Sequence, residues 1–272
     1  MPLYCGVNGV RREIRELYTG VNGVRKELTE MWAAQGGVKK LIYQAVKGVP
    51  IGTLPLDSIV KVRENGVLSE YIIVSQGKPS SIYDNSCNGT WLLRKNLLND
   101  LLPWNSVKSD VYESSSIHAW LQNTMFQRYD PGLRLFIFTA KIPYVKGGSN
   151  GTLQTGSSGL PCRVFLPSLS EIGVISRAGV TFKDGAKLSY FISDADGTNP
   201  EAMKKRIALY KGNPRNWWPR SVFFGCPELG YPEVSESGWI SQSSNNSYSA
   251  GVRPIFVLSK VVQVADDGTI LV

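Results

Sequence analysis

The chain has 272 residues, of which 42% are hydrophobic and 19% charged, with a formal net charge of +8. That apolar content supports one large core, or a core with a small appended module, and excludes a disordered chain. No run approaches the roughly 18 uninterrupted apolar residues that a membrane helix needs. The first residues also lack the basic-then-apolar order of a signal peptide, so a soluble protein made in a cytoplasm, without membrane insertion, is expected.

A repeat of 14 residues opens the chain: YCGVNGVRREIREL from Tyr4, YTGVNGVRKELTEM from Tyr18 and WAAQGGVKKLIYQA from Trp32. Two structures satisfy it. In one, Asn8-Gly9, Asn22-Gly23 and Gly36-Gly37 form two-residue hairpin turns, because Asn and Gly tolerate positive φ. In the other, Val10, Ile14, Leu17, Val21, Val24, Leu28, Met31, Val38 and Ile42 follow the three-and-four spacing of a coiled-coil seam, interrupted at Gln35. Each interior glycine would cost a helix about 1 kcal/mol, which weighs toward turns between short elements. Arg11, Arg12, Arg15, Arg25 and Lys26 alternate with Glu13, Glu16 and Glu27, the mixture of a solvated face, so no nucleic-acid partner is expected. Residues 1–48 are too short and too charged to bury much surface alone and are read as an attachment or oligomerisation module.

From residue 49 to 272 the pattern is that of a globular α+β domain built from short elements. Ile59–Arg63 and Val67–Ser75 flank a Glu64-Asn65-Gly66 turn and read as a hairpin. Ser114–Arg128 reads as a helix, with Ser114, Ser115 and Ser116 available for N-capping and Ile117, Trp120, Leu121, Met125 and Phe126 mainly on one face. Leu133–Thr139 and Val164–Pro167 read as buried strands, Ser168–Ile172 as a turn or short helix, and Glu201–Lys211 as a second helix. Val252–Leu258 and Val261–Val264 close the chain as strands.

Between two framework-like stretches, Val222–Ala250 is polar without being charged. Tyr231, Trp239 and Tyr248 supply rigid flat area, while Ser235, Ser237, Ser241, Gln242, Ser243, Ser244, Asn245, Asn246 and Ser247 supply adaptable hydrogen bonds, the composition of binding surfaces. Tyr231, Glu233, Ser235, Ser237, Trp239, Ser241, Gln242, Asn245, Asn246 and Tyr248 form the candidate ligand site. A carbohydrate would suit it. The competing reading is a solvated loop with Trp239 turned into the core.

Several pieces, in their order, resemble a family of C-type-lectin-like domains in tail proteins of phages of gut Firmicutes. They are GTWLLRKNLL (89–98), SSSIHAWLQNTMF (114–126), KIPY (141–144), VFLPSLSEIG (164–173), DGAKLSYF (184–191), RIALYKG (206–212), WWPRS (217–221) and GVRPIFVL (251–258). The G-V-N-G-V repeats resemble amino-terminal segments of phage tail proteins. The resemblance implies a C-type-lectin-like fold, shared with the variable proteins of diversity-generating retroelements and with formylglycine-generating enzymes. It gives Trp217, Trp218, Arg220, Arg253 and Pro254 framework roles, with Arg253 satisfying buried carbonyls or an acidic partner. Pro219 departs from the pattern, which more often has leucine. The implied protein is a receptor-binding component of a tail fibre or tail tip in the virion, adhering to a bacterial surface receptor. Residues 1–48 would join it to other tail or baseplate proteins as a homotrimer.

Catalytic and cofactor readings gather little support. Cys5, Cys87, Cys162 and Cys226 are far apart without a C-x-x-C pair, and His118 is the single histidine, so free thiols and no metal are expected. His118 inside the amphipathic helix reads as a packed residue, and Cys226 lacks the second cysteine of the formylglycine-generating pair. Glu228, Glu233 and Glu236 supply carboxylates for glycoside hydrolysis without a spacing that fixes their separation. The Asp194-Ala195-Asp196-Gly197 stretch is shorter than a calcium loop and reads as a turn. No cofactor and no enzymatic activity are expected. The alternatives are a cell-wall-degrading tail enzyme and a purely structural baseplate component.

Overall fold

A computed structural model describes residues 48–244 and 248–272 in full, and the backbone of six strands within residues 3–44. The chain divides into two compact units, Met1–Gly48 and Val49–Val272.

The first unit consists of three antiparallel hairpins: Leu3–Val7 with Val10–Ile14, Tyr18–Val21 with Val24–Glu27, and Glu30–Gln35 with Val38–Gln44. Val7 pairs with Val10, Val21 with Val24 and Gln35 with Val38, so two residues separate the strands each time, the register of the tightest hairpins. Asn8-Gly9, Asn22-Gly23 and Gly36-Gly37 themselves lie outside the described residues. The coiled-coil alternative is corrected: Val10, Ile14, Val21, Val24, Met31, Val38 and Ile42 are in strands. A helix would have carried a poorly tolerated glycine pair in every repeat.

The second unit is mixed α+β, with many short strands and few helical turns. Its centre is a four-stranded antiparallel sheet in the spatial order Ile255–Leu258, Thr90–Arg94, Val67–Gln76, Ile59–Glu64. The apolar runs YIIV, WLL and IFVL have no polar alternation because both faces of this sheet are covered. Tyr71, Ile73, Leu92, Phe256 and Leu258 point into one core, against Ile117, Leu121 and Met125. Ile72, Val74, Trp91, Leu93, Ile255 and Val257 point into the other, against Phe165, Trp217 and Phe223. Asn65 (φ +50°) and Gly66 (φ +81°) turn the hairpin, with Glu64 paired to Val67. Val49–Pro50 joins Gln263–Val264 and Ile270–Leu271 in a small sheet that ties the two ends of the unit together.

The expected helix runs from Ser116 to Arg128 in three segments, Ser116–Trp120, a π turn Leu121–Met125 and Phe126–Arg128. Ser115 caps it, its Oγ accepting from the His118 amide at 3.2 Å. In the π turn, the Gln122 side chain bonds the neighbouring segment, its Oε1 accepting from the Arg163 amide at 2.9 Å and its Nε2 donating to the Val164 carbonyl.

Three expectations are corrected. Leu133–Thr139 is not a strand: Pro131 starts a helical turn, Pro131–Arg134, and Leu135 is exposed. Only Phe138, donating to the Val257 carbonyl at 2.9 Å, and Ile137, bridged to Leu258, meet the sheet. The second helix is shorter, Pro200–Arg206, capped by Asn199; at Ile207 the chain becomes extended, and Lys211 and Gly212, both at positive φ, turn a small hairpin. Val164–Pro167 is buried extended chain joined to Ile255 through Phe165. Among the described residues no helix is long and apolar enough to cross a membrane.

Candidate functional site

The framework residues come first, because they fix the loops. Trp217 and Trp218 are fully buried, and their indole nitrogens donate to the carbonyls of Arg206 and Leu102, both at 3.0 Å. Arg253 is buried with Pro254 beside it and donates to the carbonyls of Arg94 (3.0 Å), Lys95 (3.2 Å) and Arg206 (3.3 Å). Its partners are therefore carbonyls, and burial lowers its pKa to about 10. Arg220 grips Glu171 through both terminal nitrogens, at 2.5 and 2.7 Å, and also reaches the carbonyls of Leu166, Asp184 and Pro143. Burial opposes this charge, but Glu171 more than offsets it, and the guanidinium pKa stands above its ordinary value.

The Val222–Ala250 segment is folded back on itself by the hairpin Tyr231–Val234 with Ile240–Ser243. Tyr231 and Glu233 are 6% and 5% exposed, which corrects the expectation that they stand outward as contact residues. The strand is covered on both faces, Tyr231, Pro232, Glu233 and Val234 all being buried: the Tyr231 ring lies 5.4 Å from that of Trp104, and Glu233 takes a long hydrogen bond from Ser241 Oγ (3.4 Å). Burial raises the Glu233 pKa, and its Oε1 has no hydrogen-bond partner. Trp239 is half-buried under the Arg177 guanidinium, 4.1 Å from the ring centroid. Ser237, Gln242 and Tyr248 are exposed, Ser235 and Ser241 half-buried. The hydroxyls of Ser235 and Ser237 bond each other at 3.0 Å, and Tyr248 meets Trp218 edge-on at 6.0 Å. Asn245 and Asn246 lie outside the described residues.

Beside this hairpin the loops line an open recess of about 340 Å³. Lys108, Ser109 and Asp110 form one wall, Ser149 and Asn150 a second, and Pro227, Glu228, Gly230, Tyr231 and Ser244 the third. The walls are tied by backbone. Gly225 N donates to Ser149 O at 2.7 Å, and the Ser149 amide donates to Asp110 Oδ2 at 2.8 Å. Gly148 (φ +76°) makes this possible, since a Cβ there would stand 2.2 Å from Asp110 Oδ1. Of the residues the sequence offered for contact, Ser244 lines the recess, and so does Tyr231. Burial and the Asp110 charge raise its pKa, so its hydroxyl stays a donor at neutral pH. Lys108, Asp110, Ser149 and Asn150 carry no local motif that marks them as site residues. A second crevice, lined by Val145, Leu153, Phe182 and Val222, offers about 20 Å³, room for about one water.

His118, the three described cysteines and Asp194 lie outside the lining of the recess. His118 is buried against Tyr112, and desolvation lowers its pKa to about 4. Cys87, Cys162 and Cys226 are free; burial raises the Cys87 thiol to about 12 and Cys162 further. Asp194 accepts from the amides of Gly197, Thr198 and Asn199 and pairs with buried Arg206 at 2.7 Å, which makes its stretch a turn. Among the described residues no three His, Cys, Asp or Glu side chains gather as metal ligands. Glu228 lines the recess with Asp110, while Glu236 is exposed on the turn of the hairpin.

No curated protein and no solved structure matches the chain. A family model described as a domain of unknown function, DUF6273, matches residues 88–260, which include the helix, the buried arginines and every wall of the recess. More than half of the chain is covered, and the protein belongs to the DUF6273 family.

Proposed function

We propose that Val49–Val272 is a non-catalytic, C-type-lectin-like receptor-binding domain of a phage tail fibre or tail tip, and that residues 1–48 attach it to tail or baseplate proteins as a homotrimer. The observation that carries the binding role is the recess: hydrogen-bonding side chains brought together from three loops of a unit whose central sheet is covered on both faces. A rigid scaffold presenting loops is the usual arrangement for recognition, because the ordering entropy has already been lost on folding. Exposed Ser237, Gln242 and Tyr248 extend the contact surface with the same adaptable chemistry. The lectin-like assignment and the virion location rest on the motif order and on the loop-rich segment between Trp217-Trp218 and Gly251–Pro254.

Adhesion of the intact, labelled protein to Firmicutes cells tests the proposal, with Gln242→Ala and Tyr248→Ala combined as the perturbation. Reduced adhesion with an unchanged melting temperature is expected; unchanged adhesion would remove this surface from the contact. Mass in solution, compared with and without residues 1–48, tests assembly: a trimer becoming a monomer is expected, and identical monomers reject it. The competing reading is a cell-wall hydrolase, favoured by two carboxylates, Asp110 and Glu228, lining one recess. Release of soluble fragments from purified cell walls would establish that reading instead.

A further inference from the structure

The recess carries an excess of negative charge in a positively charged chain. Its ionisable lining is one ammonium, Lys108, against two carboxylates, Asp110 and Glu228. The whole chain, by contrast, has a net charge of +8. A surface suited to polyanions, such as phosphate-rich wall polymers, would concentrate lysine and arginine at its binding cavity. Here the opposite sign is built in. Asp110 is locked: the Ser149 amide holds Oδ2 at 2.8 Å, and Gly148 leaves room for the carboxylate where any side chain would displace it. Glu228 lines the same recess from the Pro227–Leu229 turn, closed by the Gly230 amide on Pro227 O at 3.2 Å. The remaining lining is neutral: the hydroxyls of Ser109, Ser149 and Ser244, the amide of Asn150 and the phenol of Tyr231.

We infer that this recess takes a saccharide unit bearing a free amino group, its ammonium set between Asp110 and Glu228 and its ring hydroxyls met by the neutral side chains. This deepens the receptor-binding proposal and rests on it. Carboxylates suit the ligand twice over. They accept charge-assisted hydrogen bonds from an ammonium and accept paired hydroxyls, whereas they repel phosphodiesters. Serine, asparagine and tyrosine can donate or accept, as a polyol requires. The Pro227 ring and the accessible part of Tyr231 supply the apolar area against which a sugar face can rest.

The test is titration of the intact protein with three probes: the tetramer of glucosamine, the tetramer of N-acetylglucosamine and poly(glycerol phosphate). The expected result is that the glucosamine tetramer binds best, more weakly as salt rises, with poly(glycerol phosphate) not binding. Exposed Glu228 can be changed without touching the core, and Glu228→Gln should weaken the glucosamine tetramer about tenfold or more. Asp110→Asn should do the same. The inference is overturned if the acetylated tetramer or the phosphate polymer binds as well as the amine, if no probe binds, or if both variants leave the affinity unchanged. Cell adhesion measured alongside separates the two claims. Adhesion that survives Glu228→Gln and Asp110→Asn but is lost with Gln242→Ala and Tyr248→Ala would sink the amino-sugar inference alone, and adhesion untouched by all four would sink the receptor-binding surface as well.

Discussion

Changing Glu171 to glutamine should unfold the Val49–Val272 unit at markedly lower temperature. Glu171 is 0% exposed and Arg220 2% exposed. Its carboxylate receives both Arg220 nitrogens, the Tyr83 hydroxyl at 2.8 Å and the Ser168 amide at 2.9 Å. The amide variant is nearly isosteric, so little packing is lost; what changes is charge. Arg220 would be left buried without its counterion, and one amide NH₂ would face donors. Breaking one side of a buried ion pair costs about 3–5 kcal/mol. For a unit of this size that corresponds to a fall of about 6–20 °C in melting temperature. The assay is urea unfolding followed by tryptophan fluorescence, with Glu171→Gln, Arg220→Met and the double variant forming a cycle. Because the two residues act through one contact, the double variant should cost clearly less than the two single losses added together. Additive losses, or a loss below about 1 kcal/mol for Glu171→Gln, would refute the assignment of this pair as the internal clamp.

Three further outcomes follow from the same contacts. His118 has a folded pKa near 4, below its ordinary value of 6.5, so as pH falls the unfolded chain takes up the proton first; the resulting stability is complete above about pH 6.5 and is lost toward pH 4. Up to about 3 kcal/mol is at stake, and the melting temperature of His118→Gln should fall less across that window than that of the unchanged protein; parallel profiles would disprove it. Gly148→Ala must place a Cβ at φ +76° and push Asp110 from its seat, costing about 1–2 kcal/mol in urea unfolding together with reduced adhesion, and a variant as stable as the parent would contradict the geometry. Lys108→Ala and Ser244→Ala, on exposed side chains, should change stability by no more than about 0.5 kcal/mol while altering ligand affinity; equal affinity would remove those walls from the binding surface.

The elements that could be read from the chain were those with a local cause. Asn65-Gly66 dictates a hairpin through positive φ, and Ser115 with Ile117, Leu121 and Met125 dictates a capped, one-sided helix. The repeats could be resolved only when pairing partners were known, because their apolar positions satisfy two periods at once. Leu133–Thr139 misled because apolar content alone does not distinguish a strand from a helical turn, and Pro131 decides it. Tyr231 and Glu233 misled for a related reason. A serine-rich neighbourhood suggested an exposed loop, but the segment is a hairpin whose strand Tyr231–Val234 is buried on both faces, and that cover comes from residues distant in sequence such as Trp104 and Trp217. The recess was illegible because Asp110, Ser149 and Glu228 are widely separated in the chain and meet only through loop–loop hydrogen bonds.

The pieces GTWLLRKNLL, VFLPSLSEIG, RIALYKG, WWPRS and GVRPIFVL meet in space for one physical reason. This unit has short strands and long connections, so many carbonyls lack a ladder partner, and a buried carbonyl without a donor is costly. Three buried arginines supply the donors. Arg220 reaches Leu166, Pro143 and Asp184; Arg253 reaches Arg94, Lys95 and Arg206; Arg206 reaches Gly197 and Gly238. Only Arg206 and Arg220 have a carboxylate, Asp194 and Glu171, so Arg253 keeps its charge on carbonyl dipoles and the Trp217 face alone. Arginine suits this task because its fixed fork binds several oxygens at once and loses little additional entropy per bond. The segments these arginines reach are thereby held without the residues lining the recess taking part, apart from Asp110, which holds the Ser149 amide. That separation leaves Lys108, Glu228 and Ser244 free to change with the ligand, whereas the arginines and their acids cannot change without loosening every loop they join.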